Sequence, residues 1–426
     1  MSTTSTVNPA GSTADGSTTG NFRRLHLLLA LSIFGVNAAL MASGIVTGAL
    51  KATEIDAANA TTILSTAVAV GGVFTLIGFP LIGRISDRTT GPLGRRRPYL
   101  IAGGVLGILG TGALLIASST LMLTVAYTLL CLSFVCTVVT AGAMVPDQIP
   151  AAQRGIASAI VGLGTPVGAL VGLFVAQLFE PNLSLMILGP GLLGILGSFA
   201  IAFGVKDAPL AKEHRPDFVI RDLLATFWVN PLKAPSFAWA WVSRILIFLG
   251  VAAVNAYQAF YLIMVHHVDP AEVAGKVFLA TLLLTGASML IAPIATRVSD
   301  RIGRRKPFVI ASAGVFALGL WLVASAATYN EFLVAVLVMG IGQGVYLAVD
   351  FALVTEVLPD AENPGKDLGI MNLANTLPTI LVPAIAPTVL AIGVVAGGAN
   401  FTLLFGIGAV AAVLGALAIL PIRNVR

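Results

Sequence analysis

The stretch GRISDRTTGPLGRRRPYL at residues 83–100 decides the fold, because it recurs as TRVSDRIGRRKPFVI at 296–310. Each copy follows a long apolar run and reads Ser-Asp-Arg, then Gly-Arg-Arg-basic-Pro, then a new apolar run. Working outward, MVPDQIP (144–150) matches LVTEVLP (353–359), and Val36-Asn37-Ala38 matches Val254-Asn255-Ala256. The three separations are 213, 209 and 218 residues, so the second half of the chain repeats the first in the same direction. Parallel repeats of this size, joined by one long polar connection, are a membrane-transporter pattern.

Composition points the same way. Of 426 residues, 57% are apolar and only 10% are charged, against about 25% charged in soluble domains. A soluble enzyme, a secreted disulfide scaffold and a disordered chain are excluded. At about 20 residues per crossing, apolar runs near 25–48, 62–83, 99–117, 121–146, 155–178, 183–205, 237–264, 274–296, 307–327, 332–358, 367–392 and 399–421 predict twelve spans. The expected fold is an all-α membrane protein, twelve transmembrane helices arranged as two parallel six-helix repeats. The expected divisions are a disordered tail at 1–20, a first half at 21–205, a central loop at 206–236 and a second half at 237–426. Within that loop, DFVIRDLLATFW (217–228) reads as an amphipathic surface piece. Cys131 and Cys136 share one apolar run and support neither a disulfide nor a metal site. No metal and no cofactor is expected.

Orientation follows from the basic residues. With the N-terminus cytoplasmic, every Lys and Arg except Lys51 and Lys276 falls in a cytoplasmic segment or at a cytoplasmic helix end. Both termini are therefore expected inside, in the cell (inner) membrane. The formal net charge of +5 is then topology, and nucleic acid drops out as a partner. The expected partners are a small solute, H+ and membrane lipid, with the chain a monomer.

With these motifs in hand, the chain resembles the major facilitator superfamily over residues 25–421. The loop after span two is similar to that superfamily's signature, Gly-x3-Asp-Arg-x-Gly-Arg-Arg, with Thr-Gly-Pro-Leu inserted before Gly94. That longer form, with DLGIMNLANTLP (367–378), resembles the sucrose-transporter and glycoside–pentoside–hexuronide symporter branches. Span two carries no acid, unlike melibiose-type sodium symporters. The resemblance implies a cytoplasmic gate built from Asp87, Arg88, Arg95 and Arg96, with Asp300, Arg301, Arg304 and Arg305 in the second copy. Asp147 and Glu356 are the repeat-related partners. Physically, an Asp at the end of a span can accept from a neighbouring helix N-terminus, while the arginines pair with acids at other helix ends.

Polar residues inside the spans are the other signal. Asn37 lies in span one; Asn255, Tyr257, Gln258 and Tyr261 in span seven; Gln343 and Tyr346 in span ten; Asn372 and Asn375 in span eleven. Amides plus aromatic faces suit a hydroxyl-rich solute, and the competing reading is that intramembrane amides simply join helices. Asp350 in span ten is an acid at depth, a functional candidate by default. Arg244 in span seven lies at a similar depth and is its expected partner. The glycines of spans five and ten read as close packing, and Trp239 and Trp241 as interfacial anchors.

These features predict a secondary active transporter of a small polar solute, such as a sugar or glycoside, by proton symport through alternating access. The alternative is a proton-coupled exporter of drugs or metabolites, whose cavity would be richer in aromatic and Met side chains. A transporter-like sensor without turnover is a distant third. No enzyme is expected, since His26, His214, His266 and His267 lie near helix ends or in loops, and no phosphate-binding Gly-Lys-Ser/Thr loop occurs.

Overall fold

A computed structural model describes residues 16–151, 154–207, 234–303, 305–356, 364–393 and 399–422. The described elements are helical throughout. Span one is α1 (Gly16–Ala42), a π turn (Ser43–Thr47) and α2 (Gly48–Ile55) run together. Spans two to six are α3 (Ala60–Asp87), α4 (Arg97–Leu115), α5 (Thr120–Gln148), the pair α6 (Arg154–Gly162) and α7 (Gly164–Gln177), and α8 (Leu183–Gly204). The second half contains α9 (Pro235–Met264), α10 (Val273–Ile302), α11 (Lys306–Ser325), α12 (Tyr329–Glu356), α13 (Pro364–Leu390) and α14 (Phe401–Leu417).

Ten of these helical stretches are long and apolar enough to cross a membrane. The pair α6 and α7, bent by 55°, brings the number to eleven when taken as one span, and α14 is a shorter apolar helix in the position of the expected twelfth. The ends are set by local chemistry. Ser119, Asn182 and Asn400 each accept the amide three residues on, at α5, α8 and α14, which satisfies a donor left over at a helix start. Proline stands in the first turn of α4, α9 and α11, where its missing N–H costs nothing. Gly303, at φ 67°, closes α10 in the left-handed conformation that suits glycine. Helix α1 starts at Gly16, inside the stretch expected as a tail, because adding a turn to an existing helix is far easier than starting one. Residues 1–15 and the amphipathic piece 217–228 lie outside the described residues.

The packing repeats as the sequence does. In the first half α5 packs on α3 and α4, α8 on α1 and α4, and α7 on α1. Each pairing has its counterpart in the second half: α12 on α10 and α11, α14 on α9 and α11, and α13 on α9. Without water to drive helices together, close backbone approach must do it. A Cβ on Gly172 would lie 2.3 Å from the Ala38 carbonyl oxygen, and one on Gly344 2.5 Å from that of Ser288. The small residues of spans five and ten are packing surfaces.

The halves meet through α3 against α13, α7 against α10, and the π turn against α9. We call the side with the 88–96 turn the basic face. The side carrying the turns at 56–59, 178–182 and 265–272 is the opposite face.

Candidate functional site

Three polar side chains from two helices close on each other inside the second half. Arg244 of α9 is 8% exposed and Asp350 of α12 is 4% exposed. The Arg244 guanidinium donates to Asp350 Oδ2, and Tyr346, one turn before Asp350, donates to Oδ1 at 2.9 Å. Arg244 also donates to the Met371 carbonyl of α13 at 3.4 Å. Such a pair exists in a membrane because each charge is cancelled by the other and Tyr346 and the Met371 carbonyl take up part of the remaining hydrogen-bonding capacity; the buried Arg244 Nε has no hydrogen-bond partner among the described residues. A carboxylate held by one guanidinium and one phenol changes its proton affinity if either partner moves.

Beside this cluster, α13 carries a polar stripe. Asn375 donates to Asn372 at 3.4 Å, Thr376 to the Asn372 carbonyl at 3.3 Å and Thr379 to the Thr376 carbonyl at 2.7 Å. Asn372 and Thr379 are exposed. At about 3.6 residues per turn, the exposed Leu381 projects from the other side of the helix. The buried Asn375 Oδ1 and Gln343 Oε1 both lack a hydrogen-bond partner among the described residues.

The other candidates in the spans are held elsewhere. Tyr257 shares a 2.5 Å hydrogen bond with Ser65 of α3. Gln258 donates to Thr281 at 3.5 Å. The Tyr261 hydroxyl donates to the Val323 and Ala326 carbonyls at 2.8 and 3.2 Å, and its ring packs against Phe332, Phe401 and Phe405. Asn37 is buried against Gly164 and Gly168 of α7 and donates to the Ile33 carbonyl at 2.8 Å. Asn255 is half-buried on α9. The structure thus brings Arg244, Tyr346 and Asp350 into one cluster. Tyr257, Gln258 and Tyr261 lie apart from it, each bonded to a neighbouring helix or its end, and Asn37 bonds within its own helix. Trp241, expected as an interfacial anchor, turns inward and donates to the Ile370 carbonyl at 2.9 Å, whereas Trp239 is 43% exposed.

At the basic face, Asp87 pairs with Arg95 at 2.6 Å and Arg96 at 2.7 Å. Arg96 also reaches Asp147 at 3.0 Å and Ser86 at 2.7 Å, and Arg95 approaches Asp147 at 3.9 Å. Asp87 therefore holds two guanidinium groups on its Oδ1, and the helix-end position anticipated for it is taken by Asp207. That carboxylate accepts from the Arg96 and Arg97 amides at 2.5 and 3.0 Å, capping α4. Gly94, at φ +94°, is the residue that admits it: a Cβ there would lie 2.5 Å from Asp207 Oδ2. Arg88 caps the end of α3 with its backbone. In the second copy, Asp300 and Arg301 are exposed and Arg305 is half-buried. Arg304 lies outside the described residues, as does the side chain of Glu356.

At the opposite face, Glu180 crosses between the halves. Its oxygens accept from the Ala274 amide at 2.5 Å and the Gly275 amide at 3.1 Å. Burial raises its pKa above the ordinary glutamate value, the two amides pull it down, and Glu272 pushes it up. Neither Asp207 nor Glu180 was visible in the sequence, since a loop acid that binds backbone amides leaves no pattern at its partner.

Residues 25–292 and 277–425 match the family described as Major Facilitator Superfamily. The multidrug resistance protein MdtL of Shewanella oneidensis is 34% identical over 118 residues, which is 28% of this chain and 27% of that protein. The MFS-type transporter YfiU of Bacillus subtilis is 34% identical over 105 residues, 25% of this chain and 20% of that protein. The chain therefore spans about a fifth to a quarter of the length of these curated relatives. The MFS transporter asaE of Aspergillus flavus is 26% identical over 321 residues, 73% of this chain and 67% of that protein. Among solved structures, the nucleoside transporter NupG superposes with a TM-score of 0.72 at 13% identity, covering 94% of this chain and 100% of that one. A D-xylose–proton symporter superposes with a TM-score of 0.71 at 16% identity, covering 95% and 98%. At such identities these likenesses establish the fold.

Proposed function

We propose that this chain, which belongs to the major facilitator superfamily, moves a small polar solute together with a proton by alternating access. It is a multi-pass membrane transporter; solute, ion and direction are our reading. The observation that carries it is the buried Arg244–Asp350–Tyr346 cluster. Asp350 is the proton-binding group in this reading, and Arg244 is the partner whose withdrawal raises its proton affinity. The stripe of Asn372, Asn375 and Thr379 faces the gap between the halves, because exposed amides and hydroxyls are costly against lipid and Leu381 takes the lipid side. A polar solute such as a sugar or glycoside suits that lining. The basic face is cytoplasmic by charge distribution, and its Asp87–Arg95–Arg96–Asp147 cluster braces the first half's side of the inner gate.

The driving force is adequate. One proton crossing 100 mV supplies about 2.3 kcal/mol, and one pH unit adds about 1.4 kcal/mol. Together they sustain a solute gradient of several hundred-fold, at about 1.4 kcal/mol per decade.

A second reading is proton-coupled export, which the partial similarity to multidrug resistance proteins favours. Reconstituted vesicles offered a panel of sugars, nucleosides and lipophilic cations, with and without a proton gradient, separate the two. Accumulation of a sugar in the direction of proton flow supports symport, whereas proton-driven movement of lipophilic cations in the opposite direction overturns it. Asp350→Asn is expected to lower gradient-driven accumulation at least about a hundred-fold while sparing solute exchange at equal concentrations, because the charge that responds to the proton is gone.

A further inference from the structure

The turn between α7 and α8 carries a carboxylate that reaches the other half of the molecule. Glu180 accepts from the amides of Ala274 and Gly275, which lie in the first turn of α10. Those N–H groups have no intrahelical acceptor, and the helix start carries partial positive charge. The residue at the cap position of α10, Glu272, makes no side-chain cap bond, so the cap comes from across the interface. Lys276, the nearby cation, is engaged with Glu272 at 3.4 Å and stands over the Tyr329 ring at 5.5 Å. What faces Glu180 is thus the helix end itself. Gly275 leaves room for the approach, since a Cβ there would lie 3.3 Å from Glu180 Oε2.

Two further contacts cross the halves on this side. Phe174 meets Phe278 with ring centroids 5.6 Å apart, and Ser65 bonds Tyr257. Glu180 differs from both in placing a charge at the joint. An ionised acceptor makes a stronger bond than a neutral one, and it is lost entirely when the helix end moves away.

We propose that Glu180 is the latch of the opposite face: a side chain of the first half that holds the second half shut by capping α10, and that releases when this face opens. The proposal rests on the alternating-access reading and adds to it a gate residue. Its test needs neither solute nor proton gradient, so it fails or stands independently of the substrate and coupling assignments.

Spin labels placed in the full chain report the two faces separately. Ala57→Cys with Ala271→Cys, both exposed positions, measures the opposite face; Leu93→Cys with Ile302→Cys, 50% and 55% exposed, measures the basic face. The native Cys131 and Cys136 are buried. Glu180→Ala is expected to raise the long-distance population at the opposite face about tenfold, equivalent to about 1.4 kcal/mol, with a matching shift to short distances at the basic face. Glu180→Gln, nearly the same shape with one acceptor oxygen and no charge, gives a smaller shift in the same sense. Wild-type distributions at both faces in Glu180→Ala overturn the latch. So does lengthening at the opposite face with no change at the basic face, which makes the contact a local loop tie.

Discussion

The basic face is crowded with charge, and the ion pairs resolved there, from Arg95 and Arg96 to Asp87 and Asp147, join helices of the first half to one another. The opposite face has few charges, yet there Glu180 and the Ser65–Tyr257 bond join one half to the other. Charge density is therefore a poor guide to where a moving interface is held. At the basic face Arg96, only 4% exposed, knits α3, α4 and α5 into one rigid end. At the opposite face a carboxylate and a hydroxyl pair lie across the plane where the halves meet, the plane along which they part in the alternating-access reading.

The largest effect that can break this comparison is at Arg96. Arg96→Ala leaves Asp87 and Asp147 to Arg95, at 2.6 and 3.9 Å, and their side chains are 42% and 31% exposed, so solvent screens them. A loss of about 2 kcal/mol in stability is expected, read as a lower thermal midpoint of the purified protein. The opposite-face label distance should stay at its wild-type value; a shift there without loss of stability would mean that this cluster, too, holds the halves.

A smaller effect is expected at Tyr257. Tyr257→Phe removes the bond to Ser65 and costs about 1 kcal/mol, enough to raise the opposite-face long-distance population roughly fivefold. If the populations do not move while Glu180→Ala moves them, the comparison sharpens to a single charged latch.

Twelve apolar runs and an internal repeat made the architecture legible, because lipid leaves a spanning segment few alternatives to a helix. Most span boundaries were readable to within a few residues for the same reason, although spans one and eight run on to Ile55 and Ile302; the bend at Leu163 between α6 and α7 was not, since that break falls inside one continuous apolar run. The Arg244–Asp350 partnership could be anticipated because a buried charge demands a counter-charge at its own depth. Tyr257 and Tyr261 show the limit of that logic. A polar group in a span announces only that it needs a partner, and theirs are a serine and two backbone carbonyls. Asp207 and Glu180 escaped notice because both bind amides, a feature every residue but proline possesses.

Proton movement coupled to the solute tests the central claim most directly. In lightly buffered vesicles with no imposed gradient, adding the transported solute to wild-type protein should alkalinise the outer medium as solute and proton enter together. In Asp350→Asn the same solute should exchange across the membrane with no change in outer pH. An Asp350→Asn protein that takes up protons with the solute as the wild type does would contradict the account, and would place proton coupling outside the Arg244–Asp350–Tyr346 cluster.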